Sequence, residues 1–197
     1  IGAIPPVFSP SVQGILGLDF LSNFLVEFDY TALKLVLRPK GFAPAADLDV
    51  MEGSMKYPPG LFYVDVWLSV GETEGTAPVK AIVDTGASRT IMNWDAAATL
   101  GIEPGSALLE DRGLQLAGQN GQPLQVKEVL AGSRFGPNTA VRPTYLSVAD
   151  IPGFAAFGIT SEPFMLLGTD VIEQLGSFQM STAAQKMWVP RSTEASD

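Results

Sequence analysis

The 197-residue sequence contains no cysteine and no histidine. The first absence removes disulfides, thiol catalysis and thiolate metal sites together. The second excludes Ser-His-Asp and Cys-His catalysis and any histidine-ligated zinc. A hydrolase of this composition has to work through carboxylates or lysine. Positive charge is scarce as well: 12 Lys and Arg against 21 Asp and Glu leave a net charge of −9, with no clustered basic stripe. Nucleic acid and anionic membrane surfaces are poor partners for such a chain. No apolar run reaches the length of a membrane-spanning helix. The missing cysteines suit an exported protein, periplasmic or secreted, and suit many cytosolic ones too.

What is present favours strands and turns. The apolar share of 46% is enough for a core, and 17% charged is low for a disordered chain. Twenty glycines and fifteen prolines punctuate many short β-branched runs.

The chain also resembles itself. A shift of 151 aligns residues 13–40, QGILGLDFLSNFLVEFDYTALKLVLRPK, with residues 164–191, FMLLGTDVIEQLGSFQMSTAAQKMWVPR, without a gap. Gly17 falls on Gly168, Asp19 on Asp170, Thr31 and Ala32 on Thr182 and Ala183, and Pro39 on Pro190. Both copies read as two apolar residues and Gly, an Asp placed to cap a short helix, then strand, turn, strand and Pro. Residues 1–40 therefore read as the C-terminal segment of a preceding domain, and about one hundred residues would make up its front. Residues 41–56 carry the Pro, Gly, Ala and Asp character of a linker. Residues 57–191 form the complete copy, and 192–197 a tail. Ile1 aligns with Pro152, in a stretch read as an exposed loop, so self-processing at that point is one expected origin of the first residue.

Within the complete copy, 62–70, 78–84, 114–130 and 140–148 read as strands. NWDAAATLG (93–101) reads as a capped helix, and Gly118-Gln119-Asn120-Gly121 as a hairpin tip. Asp47, Asp49, Asp111 and Asp150 read as loop residues that add charge.

The run KAIVDTGASRTIM (80–92) ends an apolar strand in Asp-Thr-Gly. Alone that is turn chemistry. Here a glycine-tipped hairpin and then LLGTD follow it, and with these three in order residues 57–191 resemble a retropepsin-like aspartic protease domain of the bacterial tandem kind. Residues 13–40 resemble the terminal segment of the same family. The resemblance implies a mostly β, closed-barrel acid-protease half-fold with one or two short helices, preceded by the C-terminal piece of a second similar domain.

It further implies an aspartic endopeptidase that uses neither cofactor nor metal. Two Asp-Thr-Gly loops would face each other and share a proton between two carboxylates, one of which activates a water. Asp84 would be the catalytic residue. Thr85 would bond across to its counterpart, and Gly86 would let the loops approach. Ala87 offers no hydroxyl to hold the ionised form, so the pH optimum is expected to be less acidic than that of pepsin-like members. Ser88 and Thr169 stand where retroviral relatives carry an acidic residue and an Arg that pair, so that ion pair is missing as a unit. Arg89 could reach substrate or stay solvated. Leu166-Leu167-Gly168 would be the apolar-apolar-Gly segment, and Gly118, Gln119, Asn120 and Gly121 a flap.

The implied partners are a peptide or unfolded-protein substrate, plus a second Asp-Thr-Gly from a second copy of the chain or from the missing part of the preceding domain. The homodimer is the simpler of the two. The rival class is a non-catalytic peptide- or protein-binding module, or an autoprocessed fragment holding half an active site.

Overall fold

The computed structural model describes residues 14–56, 60–117 and 123–191. A one-turn helix α1 (Leu18–Leu21) leads into a hairpin of β1 (Phe24–Asp29) and β2 (Lys34–Pro39). Then come β3 (Leu48–Ser54), β4 (Tyr63–Val70), β5 (Thr73–Glu74), β6 (Val79–Val83) and β7 (Ile91–Met92), which runs into α2 (Trp94–Thr99). β8 (Gln115–Ala117), β9 (Pro123–Gln125), β10 (Lys127–Arg134) and β11 (Ala140–Val148) precede α3 (Pro152–Ala156). The chain ends with β12 (Phe164–Leu167), α4 (Thr169–Ile172), a 3-10 turn (Glu173–Leu175), β13 (Ser177–Ser181) and β14 (Lys186–Pro190).

Six strands close into a barrel in the order β4, β6, β12, β7, β11, β10, with β10 returning to β4 through Gly132↔Ser69 and Arg134↔Trp67. The period-two pattern of β4 drives it: Val64, Val66 and Leu68 are buried while Asp65 between them is exposed. β12 differs, being apolar throughout. It lies between β6, to which it is parallel, and β7, so neither of its edges meets water. That placement brings together the ends of two strands, since β6 leads into Asp84 and β12 into Gly168.

A second sheet runs β3, β14, β13, β1, β2. β3 belongs to both sheets, pairing β4 through Gly53↔Val64 and β14 through Val50↔Trp188. The expected linker of 41–56 is thereby corrected: residues 48–54 of it form a strand. The pattern hid this because the inward positions are Asp49 and Met51, while Val50 faces out. Nor does Asp49 only add charge. Its buried carboxylate accepts hydrogen bonds from Arg191 Nε (2.9 Å), Asn138 N (3.0 Å) and Asn138 Nδ2 (3.2 Å).

α2 matches expectation, with Asn93 Oδ1 accepting the Ala96 N–H at 2.9 Å. Asp150 also has a structural role, accepting the Trp94 N–H at 3.1 Å at the head of that helix. The stretch ahead of LLG, read as a loop, contains α3, whose Phe154 is buried.

The internal repeat is real but slips by one residue. α1 and α4 are related by 151, whereas the hairpins are related by 152. Asp29↔Lys34 closes the first hairpin and Ser181↔Lys186 the second. Leu33 and Gln185, both at φ 53°, occupy the same turn position. The second copy takes up its extra residue in the 3-10 turn and Gly176 (φ 70°). Thr31, Ala32 and Pro39 are therefore not the structural partners of Thr182, Ala183 and Pro190.

Candidate active site

Asp84 begins a loop directly after β6, and its N–H donates to the Leu167 carbonyl at 3.1 Å. Its Oδ1 accepts the Gly86 N–H at 2.9 Å. A Cβ at position 86 would stand 3.2 Å from that oxygen, so glycine keeps the approach free. The Ala87 N–H returns to the Asp84 carbonyl at 3.2 Å, which closes the turn.

Two threonines hold this loop against α4. Thr169 donates its N–H (2.8 Å) and its hydroxyl (3.2 Å) to the Ala87 carbonyl. Buried Thr90 donates its N–H to Asp170 Oδ2 (3.0 Å) and its hydroxyl to Asp170 Oδ1 (2.6 Å), and accepts the Gly168 N–H (2.9 Å). Asp170 is thus a clamp rather than the helix cap expected of it. The N-cap of α4 is Gly168, with no side-chain cap, because the carboxylate turns to the two donors on Thr90. Asp19 caps nothing either, since α1 starts from Gly17 without a side-chain cap.

Gly168 is required by space. A Cβ there would lie 2.5 Å from the carbonyl carbon and oxygen of Arg89 and 3.0 Å from the Ala87 oxygen. Ser88 and Arg89 are exposed, and no hydrogen bond joins Ser88 to Thr169 among the described residues. Sequence reasoning passed over Thr90 and the buttressing role of Thr169. The available signal was the pairing of SRT with GTD, a hydroxyl residue placed to meet a carboxylate.

Asp84, Thr85 and Gly86 line a cavity of about 480 Å³ together with Ile15, Leu16 and Phe157. Asp84 is the one charged residue lining it among the described residues. The Thr85 hydroxyl has no hydrogen-bond partner among them. Leu166 also reaches this cavity, so the Asp-Thr-Gly loop and the apolar-apolar-Gly segment meet there. Gly118, Gln119, Asn120 and Gly121, expected to form a flap, lie outside the described residues. The strands flanking them pair as a hairpin through Leu116↔Leu124, and both leucines pack on the cluster that holds Ile82 and Ile91.

Residues 69–171, which carry the loop, β12 and the Thr90–Asp170 clamp, match the family described as Aspartyl protease. The chain belongs to the aspartyl protease family. Among solved structures, this member is similar to a retropepsin-like aspartic protease from Rickettsia conorii, with 18% identity and a TM-score of 0.47 over 72% of this chain and 89% of that one. No curated protein matches it. No helix among the described residues is long and apolar enough to cross a membrane.

Proposed function

We propose that the chain carries one half of an aspartic endopeptidase site, with Asp84 as one of two aspartates that activate a water for attack on a peptide bond. One observation carries the reading. The cavity that Asp84 lines is also lined by Ile15-Leu16-Gly17, the first-copy equivalent of Leu166-Leu167-Gly168. In the complete copy that segment holds the Asp-Thr-Gly loop. A second loop held the same way would face the first.

Two carboxylates so placed share one proton, because ionising both at short range is costly. The ionised member takes a proton from water, the water oxygen attacks the scissile carbonyl, and the protonated member donates to the oxygen that gains charge. Thr85, whose hydroxyl has no hydrogen-bond partner among the described residues, would bond its counterpart. Apolar walls at Phe157, Leu61 and Ile82 favour a substrate with apolar side chains beside the scissile bond.

The second loop would come from a front half-domain, and β1 is the reason. In a symmetric homodimer the edge of β13 would pair with the partner copy's own β13. Here β1 already occupies that edge, from Val26↔Met180 to Asp29↔Ser177.

The test is cleavage of a denatured protein between about pH 4 and 7, where a proton-sharing pair titrates. The chain and its Asp84→Asn variant are compared over a range of concentrations, with and without an added front half-domain. Cleavage abolished by Asp84→Asn is expected, arising with the added half. A rate that climbs faster than linearly with chain concentration would assign the second loop to a second copy. Cleavage that survives Asp84→Asn overturns the reading. No cleavage under any condition favours a peptide-binding module instead.

A further inference from the structure

Trp94 lines two cavities, and neither shares a residue with the cavity at Asp84. The first, of about 540 Å³, lies between the start of α2 and the α3 loop, where Asp95 and Asp150 meet Ile151, Phe154 and Ile159. The second, of about 390 Å³, shares Trp94 and Asp150 with the first. It adds Pro104, Leu124 and Val148, and reaches the base of the β8–β9 hairpin.

The two differ in charge. Asp95 and Asp150 are both exposed and line the first cavity, and no Lys or Arg joins them there among the described residues. Asp150 uses one oxygen to accept the Trp94 backbone N–H, and Asp95 has no hydrogen-bond or ion-pair partner among the described residues. In the second cavity Lys127 balances Asp150, and the remaining wall is largely apolar. Trp94 itself is half-buried and packs against the barrel core, which holds it in place between the two. Its indole N–H has no partner among the described residues, yet is not buried.

These features select one kind of occupant. Two carboxylates beside an aromatic ring favour a cation. No group of three metal-ligating side chains occurs among the described residues, so an organic cation fits better than a metal ion. A guanidinium can stack on the indole and direct its forked donors to carboxylates. The indole N–H needs an acceptor, which a peptide carbonyl supplies. In an extended peptide, side chains two residues apart lie on the same side, about 7 Å from each other. That spacing suits two cavities with a common wall.

We infer that the Trp94 cavities dock an extended peptide segment, with an arginine beside Asp95 and Asp150 and an apolar side chain two residues away in the second cavity. The inference rests on the proposed protease reading for one point only: the segment belongs to a protein substrate, away from the bond that is cut. The α3 loop links the two places, since Phe154 and Ala155 line the first Trp94 cavity and Phe157 lines the cavity at Asp84.

The probe is the peptide Gly-Leu-Ala-Arg-Ala-Leu-Gly, capped at both ends so that arginine carries its one charge. It is titrated into the full chain bearing Asp84→Asn, so that nothing is cut. The nitrogen-labelled chain has three tryptophan indole resonances to follow, and Trp94→Phe assigns the one at issue. A saturable shift of the Trp94 resonance is expected, with those of Trp67 and Trp188 unmoved. Citrulline in place of arginine should weaken binding about tenfold or more, as should Asp95→Asn combined with Asp150→Asn. Alanine in place of both leucines should weaken it about fivefold. Added salt should weaken it as well. Asn at position 150 can still accept the Trp94 N–H, and thermal melts check that the double variant stays folded. A stationary Trp94 resonance, equal shifts of all three tryptophans, or an affinity indifferent to citrulline or to the two Asn substitutions overturns the docking site. None of these readouts needs cleavage, so their failure leaves the chemistry of Asp84 standing. Conversely, cleavage that survives Asp84→Asn sinks the catalytic reading and leaves the docking site intact.

Discussion

Glu27 and Gln179 lie directly opposite each other on the antiparallel strands β1 and β13, with Gln179 Nε2 donating to Glu27 Oε2 at 3.3 Å. They are also equivalent positions of the two hairpins, 152 residues apart. The neighbouring pairs obey the same rule: Val26↔Met180 exchanges with Phe28↔Phe178 when the copies are swapped. A local two-fold axis therefore passes between Glu27 and Gln179. Arg38 completes the cluster, reaching Glu27 Oε2 at 2.8 Å through Nη2. Interfaces built on such an axis place like next to like, which is what a site made from two equal loops needs.

If the first hairpin is an integral part of this fold, its contact with β13 must carry stability. Phe178 is fully buried and stacks on Phe28 with ring centroids 4.8 Å apart. Phe178→Ala should cost about 3–5 kcal/mol. Phe28→Ala, at a half-buried position, should cost less. A double-mutant cycle by urea unfolding should return a coupling of about 0.5–1.5 kcal/mol. A coupling of zero would mean that residues 24–39 only rest against the domain.

The two equivalent glycines should answer the same substitution differently. At Gly168 the added methyl meets the Arg89 backbone, which cannot swing away as a side chain can. Gly168→Ala should destabilise by about 1–3 kcal/mol and displace the Asp-Thr-Gly loop. Among the described residues Gly17→Ala meets only the movable Asp19 carboxylate, and it should leave the melting temperature almost unchanged. Equal losses at both sites would show that the space beside Gly17 is not open.

Much of this was readable in the sequence, and the failures share a cause. Asp84, the helix after Asn93 and the LLG segment rest on local pattern, a short run of residues with one physical role each. Thr90 and Asp170 meet across 80 residues of chain, so only a joint reading of SRT with GTD, and no single run of neighbours, couples them. β3 was lost because the inward side of its alternation includes Asp49, a carboxylate made tolerable only by Arg191 and Asn138 from distant segments. The hairpin part of the repeat was placed one residue off because Thr, Ala and Pro identities fell on the gapless alignment. The hairpin geometry follows the positive-φ positions Leu33 and Gln185 instead.

Thr90 ties three groups with one side chain and one N–H, so it can be dissected by chemistry. Thr90→Val keeps the shape but removes the hydroxyl, leaving Asp170 Oδ1 and the Gly168 N–H unpaired. A loss of about 1–3 kcal/mol is expected from such orphaned polar groups. Thr90→Ser restores the hydroxyl and should recover most of it, losing only the packing of one methyl. Thermal melts of the three proteins separate the effects. If Val and Ser behave alike, the hydroxyl is not what holds the loop.

Asp49 gives the fold an acid limit whose direction can be worked out. Burial pushes its carboxyl up, but the hydrogen bonds from Arg191 and Asn138 outweigh this and hold it below the ordinary 3.8. A group depressed in the folded state binds its proton more readily when unfolded. Its stabilisation is therefore complete above about 3.8 and fades as pH falls through the lower folded value. Asp49→Asn removes that pH-linked part at every pH. The gap in stability between the two proteins should be constant from about pH 7 to 5 and narrow below about 4. Unfolding by urea at stepped pH measures it. The clamp joins β3 to the turn at Asn138 and to Arg191 after β14, so its loss opens the seam between barrel and second sheet. A gap that stays constant to pH 2.5 would mean that Arg191 and Asn138 do not favour the charged form, and the clamp would have to be neutral.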